Sequence, residues 1–215
     1  MVFELSWIFI EKFFSITDYP SIFYGRHYLN SLVFFIGSIY FYLTLKKIFP
    51  KDIAFLGLLM LVISPKIFAN SFYNSKDIIL LSFFCISNYY FLTFFLKKKF
   101  SSLCLFCLFA GMTVGIRVMG LMIPLLFLFF FLMENLEKNK YKNFKLLIPI
   151  LFLISISVLI FWPYLWENPL RIIDAFKSLG DYEWRGMVYF LGDYHSSKYL
   201  PWYYVPINIF ITIPF

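Results

Sequence analysis

The sequence predicts an all-α, polytopic transmembrane helical bundle of about seven spans, with interfacial amphipathic helices on its extracytoplasmic side. Three observations carry that expectation. Of the 215 residues 61% are hydrophobic and 14% charged, too few charges to cover a soluble globule of this size. Apolar runs of membrane-crossing length recur from residue 29 onward, and the mean hydropathy is +0.78. Short clusters of lysine punctuate those runs at alternate ends.

Residues 1–28 include "FELSWIFIEKFF", where apolar residues at helical spacing are interrupted by Glu4, Glu11 and Lys12. This pattern suits a helix lying in the membrane interface, followed by a loop. The early acidic residues exclude a signal peptide. The bundle proper is expected over 29–162, with spans at 29–45, 53–68, 78–96, 103–116, 118–133 and 146–162. Residues 163–201 read as an extracytoplasmic loop in which "NPLRIIDAFKSL" forms a second amphipathic helix, and 202–215 as the start of a further span.

The 32 residues 102–133 are too many for one ordinary span and too few for two of about 20 each. Two short helices meeting at "GIRVMG" satisfy both the length and the charge pattern. Arg117 then lies at partial membrane depth, either snorkelling from a helix end or facing a cavity. Gly111 and Gly115 form a GxxxG that serves close helix packing. Cys85, Cys104 and Cys107 all fall in apolar runs. The CxxC formed by the last two has no nearby histidine or carboxylate, so no metal is expected.

Lysines fix the orientation. Lys46, Lys47 and Lys51, then Lys97, Lys98 and Lys99, then Lys138, Lys140, Lys142 and Lys145 fall in connections on one side. Together with Asp52, Glu134 and Glu137 they hold the whole formal charge of +7, and the rest of the chain is balanced. That side is the cytoplasm.

Every unusual polar cluster then faces the other way. "SPKIFANSFYNSKD", residues 64–77, joins two apolar runs with far more hydrogen-bonding groups than a plain loop needs. Asp77 can be a helix cap favoured by the dipole. Alternatively Asn74, Lys76 and Asp77 line a groove mouth, with Lys76 a point charge for phosphate and Asn74 and Asp77 binding hydroxyls. Arg26 and His27 open the first span on this face, and Arg117 approaches from below. Three cations there suit a lipid-linked phosphate or pyrophosphate. His195, with Asp193 and Lys198, precedes the last span. Tyr204, with Trp202 and Tyr203, reads either as an interfacial belt or as a sugar-contacting surface.

Five stretches in order, "RHYLNSLVFFIGSIYFY", "SPKIFANSFYNSKDI", "GIRVMG", "WPYLWENPL" and "FLGDYHSSKYLPWYY", resemble the polytopic GT-C glycosyltransferases. The nearest group is family 39, the protein-mannosyltransferase-like enzymes, including the RgtA/B/C/D-like subset. The resemblance implies an enzyme that takes a sugar from a polyprenyl-phosphate donor and transfers it to a lipid, glycan or protein acceptor. It implies a bacterial inner-membrane location, an extracytoplasmic active site, no nucleotide sugar, no cofactor and no nucleic acid. It further implies a catalytic carboxylate in the first outer loop. Because residue 1 reads as already inside that loop, the base is expected upstream of Met1, the chain is expected to be a fragment, and Asp77 is a weak candidate for the role. Asp18 does not match the catalytic position. The competing expectation is a transporter or flippase for a lipid-linked or polar substrate, which calls for inverted repeats; the sequence offers one short helix pair and no second copy.

Overall fold

The computed structural model describes residues 2–137, 145–180 and 185–212. The chain divides into two compact units, Met1–Pro169 and Leu170–Phe215. The first is a helical bundle. Its opening helix α1, Val2–Phe13, buries Trp7. Helix α2, Tyr19–Leu45, begins where Asp18 Oδ2 accepts the Ser21 N–H at 2.9 Å and Pro20 sits in the first turn. Its 27 residues run about 40 Å, enough to cross a bilayer. Arg26 and His27 therefore lie within this long helix and not in a loop ahead of it: the capped start at Tyr19 extends the apolar segment backwards by ten residues from the expected 29.

The expected single span 53–68 is two helices, α3 (Lys51–Ile63) and α4 (Pro65–Tyr73), bent by 62°. Proline cannot donate to the carbonyl four residues back, so α3 ends at Ser64; its fixed φ suits the first turn of a new helix, so α4 starts at once. The polar stretch 64–77, expected as a loop, is thus mostly helical.

Helix α5, Asp77–Lys97, is closed by Lys98 in a left-handed conformation, φ 52°, with its N–H on Phe94 O. Helix α6, Phe100–Ile116, follows at once. It stops at Arg117, whose backbone is extended, and one 3-10 turn, Val118–Leu121, leads into α7, Met122–Glu137. The expected break at "GIRVMG" is here, and Gly120 makes it possible. A Cβ at that position would lie 2.5 Å from the Thr113 carbonyl carbon. Helix α8, Leu147–Phe161, ends the bundle.

Cross-helix contacts give the directions. Gly37 of α2 packs on Ser82 of α5, and Lys47, just beyond α2, donates to Thr93 Oγ1 and Tyr89 O. These two helices therefore run parallel. Phe83 meets Phe109, and Phe91 meets Phe106, so α6 runs antiparallel to α5. Lys98 pairs with Glu134, which brings the C-terminal ends of α5 and α7 together. Gly111 and Gly115 of α6 lie against the backbone of Ser157 and Phe161 in α8, and Ser157 Oγ donates to Leu108 O at 3.1 Å. The GxxxG is a packing seam, as expected. At the centre Phe106 and Phe127, both fully buried, stack at 4.2 Å, ringed by Phe91, Phe94 and Phe95.

Among the described residues three helical stretches are long and apolar enough to cross a membrane, Tyr19–Leu45, Asp77–Lys97 and Val118–Leu136, and the bent α3–α4 pair makes a fourth if it counts as one span. The helices α6 and α8 are apolar but short. The chain is a predominantly α-helical membrane protein. Among the described residues Lys46, Lys47, Lys51, Lys97, Lys98, Lys99 and Lys145 all belong to the same ends of these helices; Lys138, Lys140 and Lys142 lie outside the described residues.

The second unit holds α9, Arg171–Gly180, as the amphipathic pattern predicts, and α10, Tyr204–Thr212. Between them is an element the all-α expectation did not include: an antiparallel hairpin of β1, Met187–Phe190, and β2, Asp193–Ser196. Its two-residue turn, Leu191–Gly192, has φ of 53° and 101°. Such a turn matches the twist of paired strands and favours glycine.

Candidate functional site

The candidate site begins with α4. Pro65 starts that helix, so Lys66, Asn70 and Asn74, four residues apart, share one face. Asn70 Nδ2 donates to Lys66 O at 2.7 Å, and Asn74 Nδ2 donates to Asn70 Oδ1 at 3.1 Å. The same Asn74 amide nitrogen donates to Asp77 Oδ2 at 3.0 Å. In return Asn74 Oδ1 accepts the backbone N–H groups of Lys76 and Asp77, at 3.2 and 2.9 Å. Asn74 Oδ1 thus closes the turn that leads into α5, whose N-cap residue is Lys76. Asp77 is the first residue of the helix, and its carboxylate is left to face outward.

That carboxylate meets Arg117. Arg117 Nη2 donates to Asp77 Oδ1 at 2.8 Å, across from the corner between α6 and α7. Both side chains are about half exposed, 46% for Arg117 and 54% for Asp77, so the pair adds little to stability but fixes where the guanidinium points. One of its five N–H donors is used here. Lys76 is exposed, and no partner for its ammonium occurs among the described residues. Asp77 also borders an open cleft of about 230 Å³, lined with it by Lys66, Ile67, Asn70, Asn74, Ile78 and Leu81. The arrangement can hold an anion with Arg117 and Lys76 and orient hydroxyls with the asparagine amides and Asp77.

The structure thus brings Asn74, Asp77 and Arg117 together, with Lys76 beside them in the chain, its backbone N–H on Asn74 Oδ1. Arg26 is placed differently: its Nε and Nη2 both donate to Glu11 Oε1 at 3.0 Å, tying α1 to α2. His27 packs on Phe23, ring centroids 4.1 Å apart. One turn further along α2, Asn30 Nδ2 donates to Phe72 O at 3.2 Å, joining this helix to the end of α4. His195 and Tyr204 belong to the second unit. There both pack on Phe190, at 6.4 and 4.9 Å between centroids. Asp18 caps α2; hydrogen bonds from Ser21 hold it below its ordinary pKa. Sequence reasoning missed Lys66 and Asn70 as lining residues. Their four-residue spacing from Asn74, directly after Pro65, was the available signal.

A family model described as dolichyl-phosphate-mannose-protein mannosyltransferase matches residues 9–165. No curated protein and no solved structure matches the chain.

Proposed function

From the premise that this chain belongs to the dolichyl-phosphate-mannose-protein mannosyltransferase family, we propose that the cleft at Asn74–Asp77 and Arg117 binds the phosphate and sugar of a polyprenyl-phosphate-linked donor. The family makes the chain a membrane glycosyltransferase of GT-C, mannosyltransferase-like type. The finer reading is our own: the cleft faces the extracytoplasmic side, α1 and α9 lie in the interface, about seven segments cross or enter the membrane, and the acceptor is a lipid, glycan or protein on that side.

The observation that carries it is the Arg117–Asp77 ion pair, 2.8 Å apart, whose carboxylate lines the cleft. An arginine placed there only for solubility would not need a carboxylate aligned by an asparagine. The orientation is supported by the seven described lysines at the opposite helix ends. In an inverting displacement at the anomeric carbon the leaving phosphate gains charge in the transition state. Arg117 and Lys76 then bind it more tightly than in the ground state, which makes them catalytic as well as binding groups. Asn74, Asp77 and Asn70 orient the sugar hydroxyls or the guanidinium.

The test is transfer from polyprenyl-phosphate mannose by the purified full chain in liposomes, with membranes of cells lacking the protein as acceptor source. Arg117→Ala and Lys76→Ala should each weaken donor use by about 1–3 kcal/mol, the range for a hydrogen bond to a charged group. Wild-type donor use by both variants would falsify the assignment.

A further inference from the structure

We propose that the β1–β2 hairpin of the second unit is a membrane anchor, with its Leu191 tip set into the boundary between headgroups and acyl chains and its tyrosine face lying against the bilayer. Neither the donor cleft nor its ligand enters this role. The starting point is a residue of the wrong type for its backbone. Two-residue turns of this kind favour Asn, Asp or Gly at their first position, because a left-handed backbone crowds the Cβ of other residues. Here that position holds Leu191, with φ of 53°, ahead of Gly192 at 101°. An asparagine would close the same turn with less strain, so the turn itself does not call for leucine. The Leu191 side chain is 64% exposed, and a Cβ at Gly192 would meet nothing within 4 Å. A strained turn that presents an apolar side chain outward points to a role beyond folding.

The two faces of the hairpin differ. Its register sets Val188 opposite His195 and Tyr189 opposite Tyr194. Side chains alternate along a strand, so Val188, Phe190 and His195 share one face, and Met187, Tyr189, Tyr194 and Ser196 share the other. The first is the inner face: Phe190 is buried and packs on Tyr204 and Tyr203, ring centroids 4.9 and 6.2 Å apart. The second is open. Met187, Tyr189 and Tyr194 are 63%, 64% and 70% exposed, the two tyrosine rings lie 5.0 Å apart, and no charged residue belongs to this face. Aromatic rings with one polar tip, beside apolar side chains, suit the membrane–water interface. A sugar-binding face would instead carry amides or carboxylates beside the rings to take the hydroxyls.

Phe190 also sets the level of the hairpin. It is the last residue before the turn, so the tip end lies against the start of α10. That start is itself an aromatic cluster, Trp202, Tyr203 and Tyr204, of the kind found where a chain passes from headgroups into acyl chains. Beyond it α10 runs nine residues without a charge and exposes Val205, Ile209 and Ile211, a surface suited to lipid. Leu191 is thus one residue from a side chain that packs on the first turn of a lipid-facing helix. Setting it into the bilayer removes from water the apolar surface that the turn presents.

The experiment uses the full chain in liposomes of phosphatidylethanolamine and phosphatidylglycerol. Leu191→Cys is coupled to an environment-sensitive fluorophore, and the wild-type chain, with its free Cys85, Cys104 and Cys107, is treated alike to give the background. The emission should be blue-shifted, quenched by lipid that carries a spin label near the glycerol end of its acyl chain, and insensitive to iodide in the water. Tyr189→Cys, labelled the same way, then reads what the leucine contributes. Leu191→Asn and Leu191→Gly both suit a left-handed turn better than leucine, so the hairpin stays formed. Each should shift the emission at position 189 to the red and remove most of its quenching by lipid. Iodide quenching at position 191 without lipid quenching overturns the anchor and leaves a face for a soluble sugar or protein partner. Lipid quenching at position 189 that both Leu191 variants leave unchanged overturns it as well, since the leucine then anchors nothing.

Discussion

Replacing Asp77 by asparagine separates the structural from the chemical work of the cleft. The structural loss can be worked out from its neighbours. The turn that leads into α5 is closed by Asn74 Oδ1, which accepts two backbone N–H groups and is untouched by the change. What is lost is one ion pair between half-exposed side chains, worth about 0–1 kcal/mol, and one negative charge on the first turn of a helix, worth about 0.3–1 kcal/mol. The expected destabilisation is therefore below about 2 kcal/mol, a small shift in thermal midpoint for a protein of this size. The chemical loss is larger. Arg117 loses the partner that aims its guanidinium, and a charged hydrogen bond to the donor phosphate is worth about 1–3 kcal/mol, or about 5–150-fold in kcat/KM. Asn74→Ala makes the contrast, because it removes that closure as well as the Asp77 brace. That variant loses the two backbone N–H bonds to Asn74 Oδ1, each worth about 0.5–1.5 kcal/mol, and should show a clearly lower midpoint. The assay is donor-dependent transfer measured beside thermal unfolding of the same preparations. Asp77→Asn with wild-type kcat/KM, or with a stability loss as large as that of Asn74→Ala, would refute the division of labour between these two residues.

Three further outcomes follow from the packing and the caps. Gly111→Val should push α6 off α8, because even a Cβ at that position lies 2.6 Å from the Ser157 carbonyl carbon; a loss of about 1–3 kcal/mol, or failure to accumulate in the membrane, is the expected result of such overpacking. A cysteine replacing Ser75 should react with an impermeant thiol reagent from the extracytoplasmic side and one replacing Ser101 only from the cytoplasmic side; reaction of position 75 from inside inverts the topology. For Asp18 the hydrogen bonds from Ser21 depress the folded-state pKa, so its capping contribution is present above the ordinary carboxylate range and is lost as pH falls through the lowered value. Amide protection factors at residues 21–23, taken relative to the intrinsic exchange rate at each pH, should therefore fall on acidification in the wild type, and already be low at neutral pH in Asp18→Ala.

Much of the fold was legible because the bilayer writes plain rules into composition. Apolar runs gave the long helices, lysine placement gave the common end, and the length of 102–133 gave the break that Arg117 occupies. What was not legible depended on local backbone chemistry or on distant partners. Pro65 reads equally as the end of one helix and the start of another, and only the second reading aligns Lys66, Asn70 and Asn74. The hairpin at Met187–Phe190 and Asp193–Ser196 has strands of four residues, too short for alternation to stand out against an aromatic-rich background. The pairing of Arg26 with Glu11 was not legible either, because its partner lies fifteen residues earlier on a helix whose angle to α2 no periodicity specifies.

The pairing of Asp77 with Arg117 sits between these cases, since its ingredients were in the sequence even though the contact was not drawn. A tight turn at Lys98 and Lys99 joins α5 to α6, and two such helices must fold back antiparallel. Residues nearly equidistant from that turn then face each other. Phe91 with Phe106 and Phe83 with Phe109 obey this, and so do Asp77 and Arg117, 21 residues before Lys98 and 19 after it. The carboxylate that opens one helix and the cation that ends the next are thus brought together by helix length alone, at a shared end of the bundle. Lengthening α6 by one residue ahead of Arg117 would turn the guanidinium by about 100° and should uncouple it from Asp77. Such an insertion at 116 is expected to keep the phenylalanine core and lose donor use. Retained donor affinity in that variant would mean that Arg117 binds without its partner.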